Sequence, residues 1–220
     1  MYFDRYVRLA ILGSRGIPAE FGGFETFAEQ LAVRLVERGV DVTVFCEATQ
    51  SYRASSYKGV KLKYLSTPRI AGLRSTWFDV VSIVKSLRGY DVVYMLGYNA
   101  AYAFFLPRLF RTKIWVNMDG LEWKRAKWSR GAKAFLRTME FLAVKFASKI
   151  IADARGISDH LKRTYGVTEQ VKLIPYGALP VEEPPDPALL EEYGVDPDRY
   201  YLVVSRLEPE NHVLDPDGPG

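Results

Sequence analysis

Apolar residues fill most of 7–12, and beyond them the pattern changes period. A short, nearly continuous run of this kind predicts a strand buried on both faces. From Phe24 onward the apolar positions are Phe27, Ala28, Leu31, Leu35 and Val36, with Gly39 after them. Steps of three and four residues closed by glycine predict a helix over 24–37. The same exchange of periods continues along the chain. It predicts strands at 40–46, 60–65, 91–96, 113–118, 149–152 and 171–174. It predicts helices at 77–87, 100–109, 123–147 and 157–165. Residues 52–59 read as polar loop, and Thr67-Pro68 as a break. Strands alternating with helices predict an α/β fold, a mainly parallel sheet with helices on both faces.

After Pro175-Tyr176-Gly177 the pattern changes again. Pro180, Pro184, Pro185 and Pro187 stand among Glu182, Glu183 and Asp186, the composition of a linker. A short helix is predicted at 188–193 and a strand at 200–205. The chain therefore divides into a domain over 1–178, a linker with a short helix over 179–199, and the opening of a second domain over 200–220. Fifteen residues follow Ser205, too few to finish that domain. The sequence is expected to be an incomplete piece, inactive by itself.

In a parallel α/β sheet, ligands sit outside the carboxyl ends of the strands. The loop G-S-R-G-I-P-A-E-F-G-G-F-E, 13–25, lies at one such end and runs into a helix start. Unpaired N–H groups and the helix dipole there favour an anion. Gly22 and Gly23 lack a Cβ, so a ligand can approach the main chain. Arg15 can offer a phosphate or carboxylate its planar fork. The glycines also suit a turn with no ligand; the doublet just before the helix favours the ligand loop. Glu25, in the first helical turn, suits either the dipole or contact with a bound substrate. Gly97-Tyr98-Asn99 and Asp119-Gly120 close two further strands, with Asn99 as turn residue or cleft contact. Asp119 can take a proton from a substrate hydroxyl, or cap the helix that follows.

Composition narrows the classes. Apolar residues make up 48% of 220, enough for one full core and part of another. The single cysteine, Cys46, sits in an apolar run, which excludes a disulfide framework and points to the reducing cytoplasm. Two histidines and one cysteine make no zinc pattern. No signal peptide is recognisable at 1–20, and no apolar run reaches the ~20 residues of a membrane span. The net charge of +4 is unevenly spread: 124–149 holds eight basic residues against Glu140 alone. Aromatic residues, Trp128, Phe135, Phe141 and Phe146 among them, are interleaved with these charges. Such a helix suits an anionic membrane surface, at the inner face of the cell membrane, or simply a solvated helix with its apolar side on the core. No nucleic-acid motif accompanies the charge, and nucleic acid is not expected as a partner.

Five stretches together carry a resemblance: the 13–25 loop, G-Y-N-A-A at 97–101, N-M-D-G-L-E-W-K-R at 117–125, I-P-Y-G-A at 174–178 and S-R-L-E-P-E-N at 205–211. The chain resembles the N-terminal half of a GT-B glycosyltransferase of the family-4 type, as in bacterial rhamnosyltransferases and related exopolysaccharide glycosyltransferases. The resemblance implies two Rossmann-like domains facing across a cleft, and polysaccharide biosynthesis as the setting. The first domain would hold a saccharide or polyprenyl-linked acceptor, and the second a nucleotide-diphospho-sugar. Arg206 would meet the donor diphosphate. Glu210, Asn211 and His212 stand where many relatives carry a lysine. Asp119 becomes the catalytic candidate, although many relatives have a histidine near it. No cofactor is implied; cationic groups and helix N-termini would stabilise the leaving diphosphate. The family's E-x₇-E signature, with its donor-sugar contacts, is expected beyond the end of this chain and is not carried over.

A rival reading is a nucleotide- or dinucleotide-binding, oxidoreductase-like module. Glu47 stands where a ribose-binding acid would follow the second strand. The loop spacing opposes it, because Gly13, Gly16 and Gly22 do not make G-x-G-x-x-G. The basic segment has its own test. Co-sedimentation with vesicles is expected to rise with phosphatidylglycerol content and fall with added salt. Absence of binding at every salt concentration would exclude the membrane contact.

Overall fold

A computed structural model describes residues 7–20, 22–68, 70, 74–178, 187–196, 199–202 and 204. Its centre is an eight-stranded sheet in the order β3-β4-β2-β1-β5-β6-β7-β8. The strands are β1 Arg8–Leu12, β2 Asp41–Glu47, β3 Ser56–Tyr57, β4 Val60–Leu65, β5 Val92–Leu96, β6 Lys113–Met118, β7 Lys149–Ala152 and β8 Val171–Leu173. All neighbours pair in parallel except β3 with β4. The helices are α1 Gly22–Glu37, α2 Arg74–Lys85, α3 Phe105–Leu109, α4 Arg130–Phe146, α5 Arg155–Tyr165 and α6 Pro187–Glu192. The α/β architecture expected from the periodicity is the one observed.

Successive strand residues point to opposite faces, and the two faces are covered unequally. Leu9 and Ile11 pack with Ala28 and Ala32 of α1. Ala10 and Leu12 join a larger core with Phe78 and Ile83 of α2, Met139 and Ala143 of α4, and Leu161 of α5. Strand order builds outward from β1 to β4, then returns to β5 and builds the other way. The crevice opens where these directions diverge, at the carboxyl ends of β1 and β5. Gly13 makes that junction possible. Its φ is +88°, and a Cβ there would lie 2.3 Å from the Leu96 carbonyl oxygen.

Four expectations change. The polar loop at 52–59 contains β3, because Lys58 and Gly59 both take positive φ, 45° and 81°, and close a tight hairpin onto β4. The helix expected over 100–109 splits into a 3₁₀ turn, Ala101–Ala103, and α3. Pro107 has no N–H for a continuous ladder and fits only a first helical turn. The helix expected from 123 begins at Arg130, where the Ser129 hydroxyl accepts from the Ala132 N–H at 3.3 Å. Among the described residues of 200–205, none is in a strand. Tyr201, Leu202 and Val204 are 102%, 75% and 85% exposed, so these described residues are not packed into the core.

Trp123, displaced from the helix, is pinned elsewhere. Glu140 of α4 is 1% exposed. Its carboxylate accepts from Trp123 Nε1 at 2.9 Å and Tyr165 Oη at 2.7 Å, and meets His160 Nε2 at 2.9 Å. One carboxylate thus ties the segment after β6 to α4 and α5. Glu140→Ala would leave these buried partners unsatisfied and is expected to cost about 3 kcal/mol. The denaturant midpoint measures it; a loss under about 1 kcal/mol would show that the network contributes little.

Candidate functional site

A cleft of about 890 Å³ opens at the carboxyl ends of β1, β2, β5 and β6. Of the residues expected to form a site, Arg15, Gly22, Gly23, Glu25, Asn99 and Asp119 all line it. Arg206 lies outside the described residues.

The glycine-rich loop faces this cleft with part of its anion-binding capacity already used. Glu25 is 9% exposed, and its Oε1 accepts from the Arg15 N–H at 3.1 Å. The chain thus places its own negative charge at the start of α1. The Arg15 carbonyl accepts from the Glu47 N–H at 2.8 Å, which ties the loop to β2. The Arg15 guanidinium has no partner among the described residues and stays exposed. The two glycines differ. Gly22 has φ +74°, and a Cβ on it would meet Glu25 Oε2 at 2.9 Å; a Cβ on Gly23 would meet nothing within 4 Å.

Asp119 follows β6 and lies open to the cleft. The 3₁₀ turn after it, Glu122–Lys124, has no side-chain cap, so Asp119 is not serving as one. The protein surface around its carboxyl strips away part of its hydration, and the charges of Asp153 and Glu122 add to that effect. Together they push its pKa up to about 6. Tyr98, buried after β5, donates to the Gly120 carbonyl at 3.2 Å and accepts from the Glu122 N–H at 3.0 Å. That double bond fixes the backbone on either side of Leu121. On the other flank, Asn117 Nδ2 donates to Tyr176 Oη at 3.0 Å, and the Tyr176 ring lies 4.8 Å from that of Phe27 on α1. Asn117 is fully buried, and its Oδ1 has no partner among the described residues.

Sequence reading placed the Gly97-Tyr98-Asn99 turn at this end of the sheet but missed what Tyr98 does there, and it missed Tyr176, Arg74 and Asp79 as members of this cleft. The first three carry no periodic signal. Asp79 does: it shares a helical face with Ser82, Ile83 and Ser86, all fully buried, and an acid on a packed face is unusual. Glu47, a ribose ligand in the rival reading, is ion-paired with Arg74. Asn99 lines the cleft from the turn after β5 and is exposed.

A family model described as a domain of unknown function, DUF1972, matches residues 7–179. The chain belongs to this family. No curated protein matches it by sequence. Among solved structures it is similar to HepE from Anabaena in complex with UDP-glucose, at 17% identity and a TM-score of 0.57, over 85% of this chain and 50% of that one. It is also similar to a glycosyltransferase from Rickettsia africae, at 14% identity and a TM-score of 0.51, over 88% and 51% of the two chains. A UDP-GlcNAc 2-epimerase from Methanocaldococcus jannaschii is similar at 14% identity and a TM-score of 0.51, over 76% and 45%. The chain therefore spans about half the length of these structures, and what it shares with them is the fold. Among the described residues, no helix is long and apolar enough to cross a membrane.

The contrast between Gly22 and Gly23 gives a test of the loop. Gly23→Val is expected to leave Tm nearly unchanged and to abolish ligand binding, because the new side chain points into open space at the cleft wall. Gly22→Ala is expected to cost about 1–2 kcal/mol through its left-handed backbone. Equal loss of stability and binding in Gly23→Val would assign the doublet to the turn alone.

Proposed function

We propose that this chain forms the acceptor side of a glycosyltransferase that draws its sugar from a nucleotide-diphospho-sugar. The observation that carries the reading is Asp119, a carboxyl of raised pKa facing the glycine-rich loop across a cleft at the strand ends. A base with a pKa near the working pH takes a hydroxyl proton efficiently. Asp119 accepts the proton of the acceptor hydroxyl as its oxygen attacks the anomeric carbon. The bond from that carbon to the diphosphate breaks, and the nucleoside diphosphate leaves. Arg15 and Arg206 are assigned to the negative charge of the donor, and Gly22, Gly23, Glu25 and Asn99 to substrate contact.

Support comes from the family-4-like motifs and from a fold shared with structures described as holding UDP-glucose or as a glycosyltransferase. A rhamnosyl or other hexosyl donor and a role in polysaccharide synthesis belong to the same reading. So does a saccharide or polyprenyl-linked acceptor. Phe135 and Phe141, each 49% exposed on α4, stand beside its basic residues and favour peripheral contact with the inner face of the membrane. The oxidoreductase alternative is weakened at Glu47, whose carboxylate is taken by Arg74 and by the Thr49 hydroxyl.

The test is a product screen on protein expressed from the full reading frame that contains these residues. Nucleotide-diphospho-sugars are paired with saccharide and polyprenyl-linked acceptors, and mass spectrometry reads the added sugar. Asp119→Ala is expected to lower kcat by about 10²–10⁴-fold. A base is active when ionised. The wild-type kcat/KM should therefore climb about tenfold per pH unit below the pKa of about 6 and level off above it. No transfer across the panel, or transfer indifferent to Asp119, would overturn the reading.

A further inference from the structure

The part of the cleft between β2 and α2 holds polar side chains that the proposed chemistry does not use. Glu47 ends β2 and is 4% exposed. Its carboxylate takes the Arg74 guanidinium and the Thr49 hydroxyl, and Arg74 also donates to Thr49 Oγ1 at 2.6 Å. Further along α2 lies Asp79, 7% exposed. Its carboxyl has no hydrogen-bond partner among the described residues, yet it borders the cleft beside Arg74, Ser75 and Phe78. Burying a carboxyl without a partner is costly, and such groups call for an explanation. The titratable groups whose charge it feels or affects are Glu47 from β2 and Tyr102 from the 3₁₀ turn, and Arg74 from its own helix lines the same cleft.

Burial first, and then the Glu47 charge, push the Asp79 pKa up to about 8. At neutral pH this side chain therefore keeps its proton, and it can donate one hydrogen bond while accepting another. Arg74 supplies donors and Glu47 an acceptor, but their charges offset each other. An anion entering here would face three carboxylates, Glu25, Asp119 and Glu122, on the same cleft wall against a single guanidinium free among the described residues, that of Arg15, which the proposed chemistry assigns to the donor. A cation would find Glu47 paired and Asp79 neutral. What remains is an uncharged molecule with adjacent groups that both give and take hydrogen bonds, as vicinal hydroxyls do.

We propose that Glu47, Arg74 and Asp79 form a subsite for an uncharged sugar ring, with Asp79 as the hydrogen-bond donor that selects it. The assignment of this ring to the acceptor rests on the proposed sugar transfer; the subsite itself does not. It implies that a uronic acid is rejected at this position. Asp79 acts as a carboxylic acid here, so the subsite weakens as pH rises through about 8 and the carboxyl ionises.

The test is saturation-transfer NMR on the 220-residue chain with no nucleotide present. The probes are methyl glucoside and methyl rhamnoside, with glucuronate and inorganic phosphate as anions. Both glycosides are expected to receive saturation at pH 7 and the anions none. Asp79→Asn keeps a donor and an acceptor, and should retain binding while losing its decline above pH 8. Asp79→Leu should weaken binding by about tenfold or more, with circular dichroism confirming that both variants fold. Binding of the anions instead, equal binding in Asp79→Leu, or no binding of either glycoside would overturn the subsite. Glycoside binding without any sugar transfer in the product screen would remove the proposed reaction and leave the subsite standing. Transfer without glycoside binding would do the reverse.

Discussion

The backbone of Gly13 presses so closely on the Leu96 carbonyl that no side chain fits between them. This contact joins β1 to β5 where the sheet changes its direction of growth. Loops leaving the two strands must separate, because one leads to α1 on one face and the other to the helices on the opposite face. Their separation is the cleft. The rest of the site hangs from that geometry. The 13–25 loop leans on β2 through Arg15, and the turn after β5 holds the segment after β6 through Tyr98.

Within one cleft the carboxyl groups are set to different tasks by their surroundings. Glu25 is held by a backbone N–H and Glu47 by a guanidinium, so both serve as fixed negative charge. Asp119 faces other carboxylates across a partly dehydrated wall and is raised to about 6. Asp79 is deeper, has no cation bonded to it, and is raised further, to about 8. For these two, burial is the larger cause and the charge of neighbouring carboxylates the smaller. Near neutral pH the same functional group thus stands ionised at one point and protonated at another.

The fold was legible because the periodicity of a doubly wound sheet is strong. Strands β4, β6 and β7 begin and end where the pattern places them. Errors fell where one local residue overrides a pattern. Ser129 starts α4 late, and Pro107 allows only a short α3. The positive-φ pair Lys58-Gly59 builds a hairpin too small to show as alternation. In the site, the glycine loop and Asp119 were visible because strand-end loops are short and rich in glycine. Tyr176 and Arg74 were not, since each reaches the cleft by a tertiary contact, and the bonds of Tyr98 to the segment after β6 exist only once the chain has folded. Asp79 left a trace, an acid on a buried helical face, and only the structure shows that this face borders open space.

The network at Glu140 has an evolutionary consequence. Trp123, His160 and Tyr165 all converge on one buried carboxylate. Losing that carboxylate strands three groups at once, while losing any one of them removes part of its compensation. Single-step replacement is therefore penalised at four positions spread over the segment after β6, α4 and α5. In related chains these four residues should persist as a set or be exchanged as a set for a wholly apolar packing. Lineages that have made that exchange would be separated from those that have not by intermediates of low fitness.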